Sequence, residues 1–196
     1  MRGVGIATAR RLDTDGWNAT TLSLYSHSGT HMDAPRHFLP DGRTLDGQDL
    51  AVCVGPARVI DVTPTEPKQL LTVEHLGVHA EQIEQGDRLL FRTDWHLRHG
   101  TPAYRDELPR ISLDLARWLV ERRVALIGVE PPSVADVNNM AELTEVHQTL
   151  FRGDVLIVEG LAYLDRLTSP MVEFVALPLK IVGGDGSPVR AIAIER

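Results

Sequence analysis

Short apolar runs alternate with polar and turn-forming stretches along this chain, and the period of each run separates strand from helix. TTLSLY (20–25) alternates residue by residue, as a strand with one buried face does. ARVIDV (57–62), RLLFRT (88–93), VALIGV (124–129) and DVLIVEG (154–160) are compact apolar runs bounded by Gly, Pro or charge, the pattern of strands. Two stretches carry helical spacing instead. In TVEHLGVHAEQIEQGD (72–87), Val73, Leu76, Ala80 and Ile83 fall on one face, with Thr72 as start signal and Gly86 as stop. In SLDLARWLVERR (112–123), Ser112 is the expected N-cap and Leu115, Trp118 and Leu119 the buried stripe. Helix followed by strand occurs twice. The expectation is an α/β fold: a mixed sheet or open β-barrel with helices packed outside.

Length and composition sharpen that picture. The 196 residues suffice for one sizeable core, and no linker-like composition interrupts them, so residues 1–196 are expected to form a single domain. With 43% hydrophobic and 24% charged residues, the chain has the composition of a globular protein. A formal charge of −7 and scattered Lys and Arg exclude a basic face for nucleic acid or for anionic membranes. No apolar run reaches the length of a membrane span or a signal peptide. Cys53 stands alone, so no internal disulfide can form and a reducing, cytoplasmic location is expected.

The chemistry concentrates in SHSGTHMDAPRHF (26–38), which holds three histidines and an aspartate among small or rigid residues. Ligands of one first-row ion must bring donors within about 4 Å of each other, whereas an extended strand would hold His27 and His31 about 13 Å apart. The chain must fold back between them, and Ser28-Gly29 is the place where it can. His31 and Asp33, two apart, leave the same side of an extended segment. Pro35 biases Ala34 toward an extended shape and so delivers His37 at a set distance. Farther along, Glu159 ends the apolar run VLIVEG, where a carboxylate is costly unless paired or bound to a cation. Nitrogen and oxygen donors without thiolate suit zinc, manganese or ferrous iron.

These residues resemble a known signature. The stretch matches H-x-G-T-H-x-D-x-P-x-H of the metal-dependent cyclase-like hydrolases, which include bacterial kynurenine formamidases and isatin hydrolases, at His27, Gly29, Thr30, His31, Asp33, Pro35 and His37. The resemblance continues through QGDRLLFRTDW, VALIGVEPPSV, VHQTLFRGDVLIVEG and PLKIVGGDGSPVRAIAI. It implies metal ligands His27, His31, Asp33, His147 and Glu159, with two zinc or manganese ions per chain, and His37 as general acid/base. A cation there makes hydroxide available at neutral pH for attack on an amide carbon. His37 would carry the proton to the leaving amine. The implied substrate is an aryl formamide, foremost N-formyl-L-kynurenine, and the implied assembly a homodimer or larger homo-oligomer. Isatin hydrolases carry glutamine at the position of Glu159, so the glutamate points to the formamidase side. A lactam hydrolase and a non-catalytic metal-stabilised binding protein are the alternatives.

Other residues carry weaker signals. Trp17 and Trp95 are candidate walls of a substrate pocket. His75 and His79 read as a solvated helix face, GGDGSPVR as a turn between strands, and Glu130 as a strand-end charge or a group that holds a loop. Family members usually begin with an extra strand and a proline-glycine segment ahead of the region matching DGWNATTLSL, and this chain is expected to lack that piece.

Overall fold

The structure, a computed structural model, describes residues 3–195. The apolar runs become neighbours in one sheet. In chain order, β1 (Gly5–Arg10) and β2 (Ala19–Ser23) pair as a separate hairpin, and β3 (His31–Asp33) and β4 (Val54–Asp61) enter the main sheet. β5 (Leu70–Leu71) lies outside it, β6 (Arg88–Arg92) lies within it, and β7 (Arg110–Ile111) pairs with β5. β8 (Leu126–Val129), β9 (Leu156–Glu159), β10 (Met171–Val175), β11 (Gly186–Pro188) and β12 (Ile192–Ile194) complete the set. The main sheet has eight strands in the order β11-β3-β9-β8-β6-β4-β10-β12. Its centre, β9-β8-β6-β4, is parallel and the outer pairings are antiparallel. The mixed-sheet expectation holds.

Continuous apolar runs belong to strands covered on both faces, and β8 and β9 bury every residue. Four helices occur among the described residues: α1 (Leu12–Asp15), α2 (Pro102–Asp106), α3 (Leu113–Glu121) and α4 (Met140–Arg152). The Ser112 hydroxyl caps α3 by accepting the Leu115 N–H at 3.1 Å, as the sequence predicts. Leu115 and Leu119 of α3 pack with Val146, Leu150 and Phe151 of α4 against Phe91, Ile127 and Ile157 on one sheet face. Met32, Leu90, Leu126, Val158 and Phe174 fill the other.

Four local readings are corrected. The stretch 72–87 is not one helix: Val73–Gln82 forms tight 3₁₀ turns that break at Gly77, whose φ of 52° and ψ of −131° no helix contains. His75 is there part of the cap rather than a solvated face, because its Nδ1 accepts the Thr72 N–H at 3.1 Å. Alternating TTLSLY buries no face, since the residues of β2 after Ala19 are all exposed. Ahead of DGWN there is a strand, β1, paired with β2. No helix among the described residues is long and apolar enough to cross a membrane.

Candidate metal centre

Pairing of β3 with β9 builds the site. Its register sets His31 opposite Glu159 and Asp33 opposite Ile157, so the two β3 donors, which share one side of their strand, meet the carboxylate ending β9. The chain turns back before β3 at Gly29, where φ is 62°. The Thr30 hydroxyl donates to the Gly160 carbonyl at 2.6 Å and ties this turn to the end of β9. His27 then lies with Nδ1 2.7 Å from Asp33 Oδ1. Ala34 is extended (φ −95°, ψ 155°) and Pro35–His37 forms a single tight turn. The turn stacks the His37 ring on His27 at 3.8 Å between centroids. α4 supplies His147, whose ring is stacked by Phe38 at 4.3 Å. All six residues singled out by the motif and its downstream continuation therefore converge.

Distances and tautomers show what the cluster can hold. His31 Nε2 lies 3.3 Å from Asp33 Oδ1 and 3.3 Å from Glu159 Oε2. His147 Nε2 lies 3.5 Å from Glu159 Oε1 and 3.7 Å from Asp33 Oδ2. Ligands about 2.1 Å from a tetrahedral ion are separated by about 3.4 Å, so these spacings fit the edges of a coordination shell. The Nδ1–H of His31 donates to the Gly29 carbonyl at 2.8 Å and that of His147 to the Leu143 carbonyl at 2.7 Å. In a neutral ring this leaves the Nε2 lone pair facing carboxylate oxygens. Acceptors then face acceptors. Asp33 Oδ2 is buried without a hydrogen-bond partner among the described residues, an oxygen that a cation would satisfy. Two overlapping donor groups, His31–Asp33–Glu159 and His27–Asp33–His37, share Asp33. A divalent metal fits.

Protons are what the donors take up when no metal competes. Burial works against a charged His31, yet Asp33 and Glu159 beside it raise its pKa to about 11. Burial likewise opposes a charged His147, but Glu159 and then Asp33 raise it. The reciprocal effect is a depressed Asp33 carboxyl, where hydrogen bonds from His27 and His31 outweigh burial. His37 differs. Burial pushes its pKa down to about 4, aided by His27 and His147 and opposed by Asp33, so its ring is neutral at pH 7.

A cavity of about 660 Å³ opens onto His27 and His31, with apolar lining from Tyr25, Pro132 and Leu161. Neither tryptophan lines it within the chain. Trp17 is 57% exposed on the N-terminal hairpin arm. Trp95 is 1% exposed and donates its indole N–H to the Tyr104 carbonyl at 2.9 Å, so it is core, and its neighbour His96 is the wall residue. One feature escapes the sequence reading. Asp185, within the supposed plain turn GGDGSPVR, stands 3.5 Å from His27 Nε2, because β11 pairs with β3. Glu130 is fully buried and holds the Thr93–His96 segment by hydrogen bonds, the loop-holding role considered for it. Its burial leaves no local signal, since VEPPSV looks like any strand end.

Comparison with known proteins agrees with this geometry. The family model Cyclase matches residues 6–136. The kynurenine formamidase of Bacillus mycoides (strain KBAB4) is 39% identical over 175 residues, 89% of this chain and 79% of that protein. Among solved structures, isatin hydrolase A from Ralstonia solanacearum superposes with a TM-score of 0.86 at 30% identity, covering 98% of this chain and 82% of that one. A structure described as a potential metal-dependent hydrolase with cyclase activity gives a TM-score of 0.78 at 28% identity, covering 97% and 87%. By signature, fold and these matches, the chain belongs to the cyclase-like hydrolase family.

Proposed function

We propose that this protein is a divalent-metal-dependent amidohydrolase acting on aryl formamides, with N-formyl-L-kynurenine, cleaved to L-kynurenine and formate, as the leading substrate. The observation that carries the reading is the set of buried imidazole and carboxylate donors spaced 3.3–3.7 Å apart with their lone pairs converging. His27, His31, Asp33, His147 and Glu159 would hold two ions, zinc or manganese, with Asp33 shared between the overlapping donor groups. A bound ion of this kind acidifies water and polarises the scissile carbonyl.

The chain's own residues do the rest. Neutral His37, stacked on His27 at the edge of the cluster, is suited to accept a proton from water and return it to the leaving aryl amine. Gly29 and Leu143 carbonyls hold the His31 and His147 rings in the tautomer that offers Nε2. Val134 N–H, 2.8 Å from Glu159 Oε1, fixes that carboxylate. The apolar walls supplied by Tyr25, Pro132 and Leu161 suit an aryl ring and exclude water around the reacting bond. A homodimer is part of the proposal: the exposed β1–β2 hairpin carries Ile6, Leu22 and Trp17 without cover in a single chain. Cys53, free and buried, accords with a cytoplasmic location.

The test is formate release from N-formyl-L-kynurenine by freshly purified protein, before and after chelation, alongside elemental analysis. Metal content together with chelator-sensitive release is expected. Protein without metal that stays inactive on every amide after zinc or manganese is added would end the proposal. Isatin belongs in the same panel as the second reading, because the superposition on isatin hydrolase A is close.

A further inference from the structure

The cavity has further polar lining: His96, His99, Tyr104, Tyr163 and Arg105, whose guanidinium is paired with Asp106. Behind this lining, β8 runs into Glu130, which is wholly buried. Glu130 Oε2 accepts the Thr93 N–H and hydroxyl, both at 2.8 Å, and the Trp95 N–H at 3.2 Å. Glu130 Oε1 lies 2.9 Å from His96 Nδ1. A carboxylate as partner assigns the ring proton to Nδ1, so in the neutral tautomer Nε2 presents a lone pair.

That nitrogen is buried and has no hydrogen-bond partner among the described residues. Asp165 Oδ1 stands 3.4 Å from it. With His96 neutral, two acceptors thus meet with no donor; among the described residues no Lys or Arg nitrogen lies within 4 Å of the Asp165 carboxylate, and Arg92 reaches it only as a more distant charge. The backbone on both sides is strained. Asp94, two residues before His96, has φ 56°, and Tyr163, whose ring meets the His96 ring edge-on at 5.3 Å, has φ 65°. Residues with a Cβ hold the left-handed region only where surroundings enforce it, and such strain gathers at binding sites.

We infer that His96 Nε2 and Asp165 form a cation subsite that takes the primary ammonium of a substrate with an amino-acid head. An ammonium has three donors and a positive charge, enough to satisfy both acceptors, whereas an anion would meet Asp165 and Glu130. Tyr163 is 56% exposed and Arg166 stacks over its ring at 4.2 Å, so admitting the ligand means moving this exposed pair. The inference rests on the proposed function, in which the aryl ring packs on the apolar lining of the cavity.

Calorimetric binding of L-kynurenine and of its desamino analogue to the metal-loaded protein tests it. Wild type is expected to prefer L-kynurenine by at least about tenfold, the strength of one charge-assisted contact. Asp165→Asn is expected to erase the preference and Asp165→Glu to keep it. Asp165 sits on a turn with its side chain 34% exposed, and Asp165→Ala gives the same comparison if the amide variant misfolds. Equal binding by wild type, binding of neither compound, or a preference that survives loss of the carboxylate overturns the inference. Formate release is read separately, so an inactive wild type that still shows the Asp165-dependent preference faults the reaction and not the subsite.

Discussion

His31 and His147 in the metal cluster and His96 in the cavity lining are buried imidazoles beside carboxylates, yet the hydrogen bonding of their Nδ1 atoms is reversed. In the first pair Nδ1–H goes to a backbone carbonyl and Nε2 faces Asp33 and Glu159. In the second Nδ1 goes to the carboxylate, and Glu130 Oε2 is already saturated by three donors while Asp33 Oδ2 has none. The first arrangement is short of positive charge and can gain it from a metal. The second satisfies Glu130 through Nδ1 and anchors the wall, leaving only Nε2, beside Asp165, without a donor. Histidine next to carboxylate does not by itself make a metal site; which ring nitrogen the protein occupies decides it.

The sharpest way to break this comparison is to delete one imidazole on each side. His31→Ala is expected to weaken metal binding by more than about a hundredfold and abolish hydrolysis, while His96→Ala leaves metal affinity within about threefold. Chelator competition measures both, and equal losses would refute the contrast. Next in size is His37→Ala, which is expected to keep its metal and lower kcat by about a hundredfold or more. A variant that lost metal as well would make His37 a ligand, as its membership of the His27–Asp33 donor group allows.

His96→Ala should act on stability instead. Leaving a buried Glu130 oxygen without its partner costs about 2–4 kcal/mol, read as a lower urea midpoint at unchanged slope. The last effect concerns pH. In chelator-treated protein the pKa of His31 is raised to about 11, so its stabilising contact is complete below the ordinary histidine value of about 6.5 and is lost as pH climbs toward 11. Metal-free protein should therefore lose stability between pH 7 and pH 10. Calorimetry of metal uptake at pH 7 should show proton release, because the ion displaces the proton held by His31. Uptake without buffer-dependent heat would contradict this.

Much of the site is local and therefore readable. Gly29, Pro35 and the two-residue spacing of His31 and Asp33 impose their geometry within a dozen residues, and the structure follows them. The compact runs around Leu89, Ile127 and Ile157 announce buried strands for the same reason: burial on both faces demands continuous apolarity. The helical reading of 72–87 fails because one backbone angle at Gly77 overrides the apolar period. TTLSLY misleads because alternation promises a buried face that nothing in one chain covers.

By itself the sequence determined the donor types, their spacing in the early motif and the α/β class, since these depend on side-chain chemistry and on short-range chain geometry. Tertiary structure decided the rest. Only the β3–β9 register sets Glu159 opposite His31, only α4 packing lowers His147 onto the cluster, and only β11 pairing brings Asp185 to His27. The burial of Glu130, and with it the orientation of His96, belongs to the same class. Contacts between distant segments are chosen by how apolar faces pack, and that choice leaves no mark on the residues immediately around each donor.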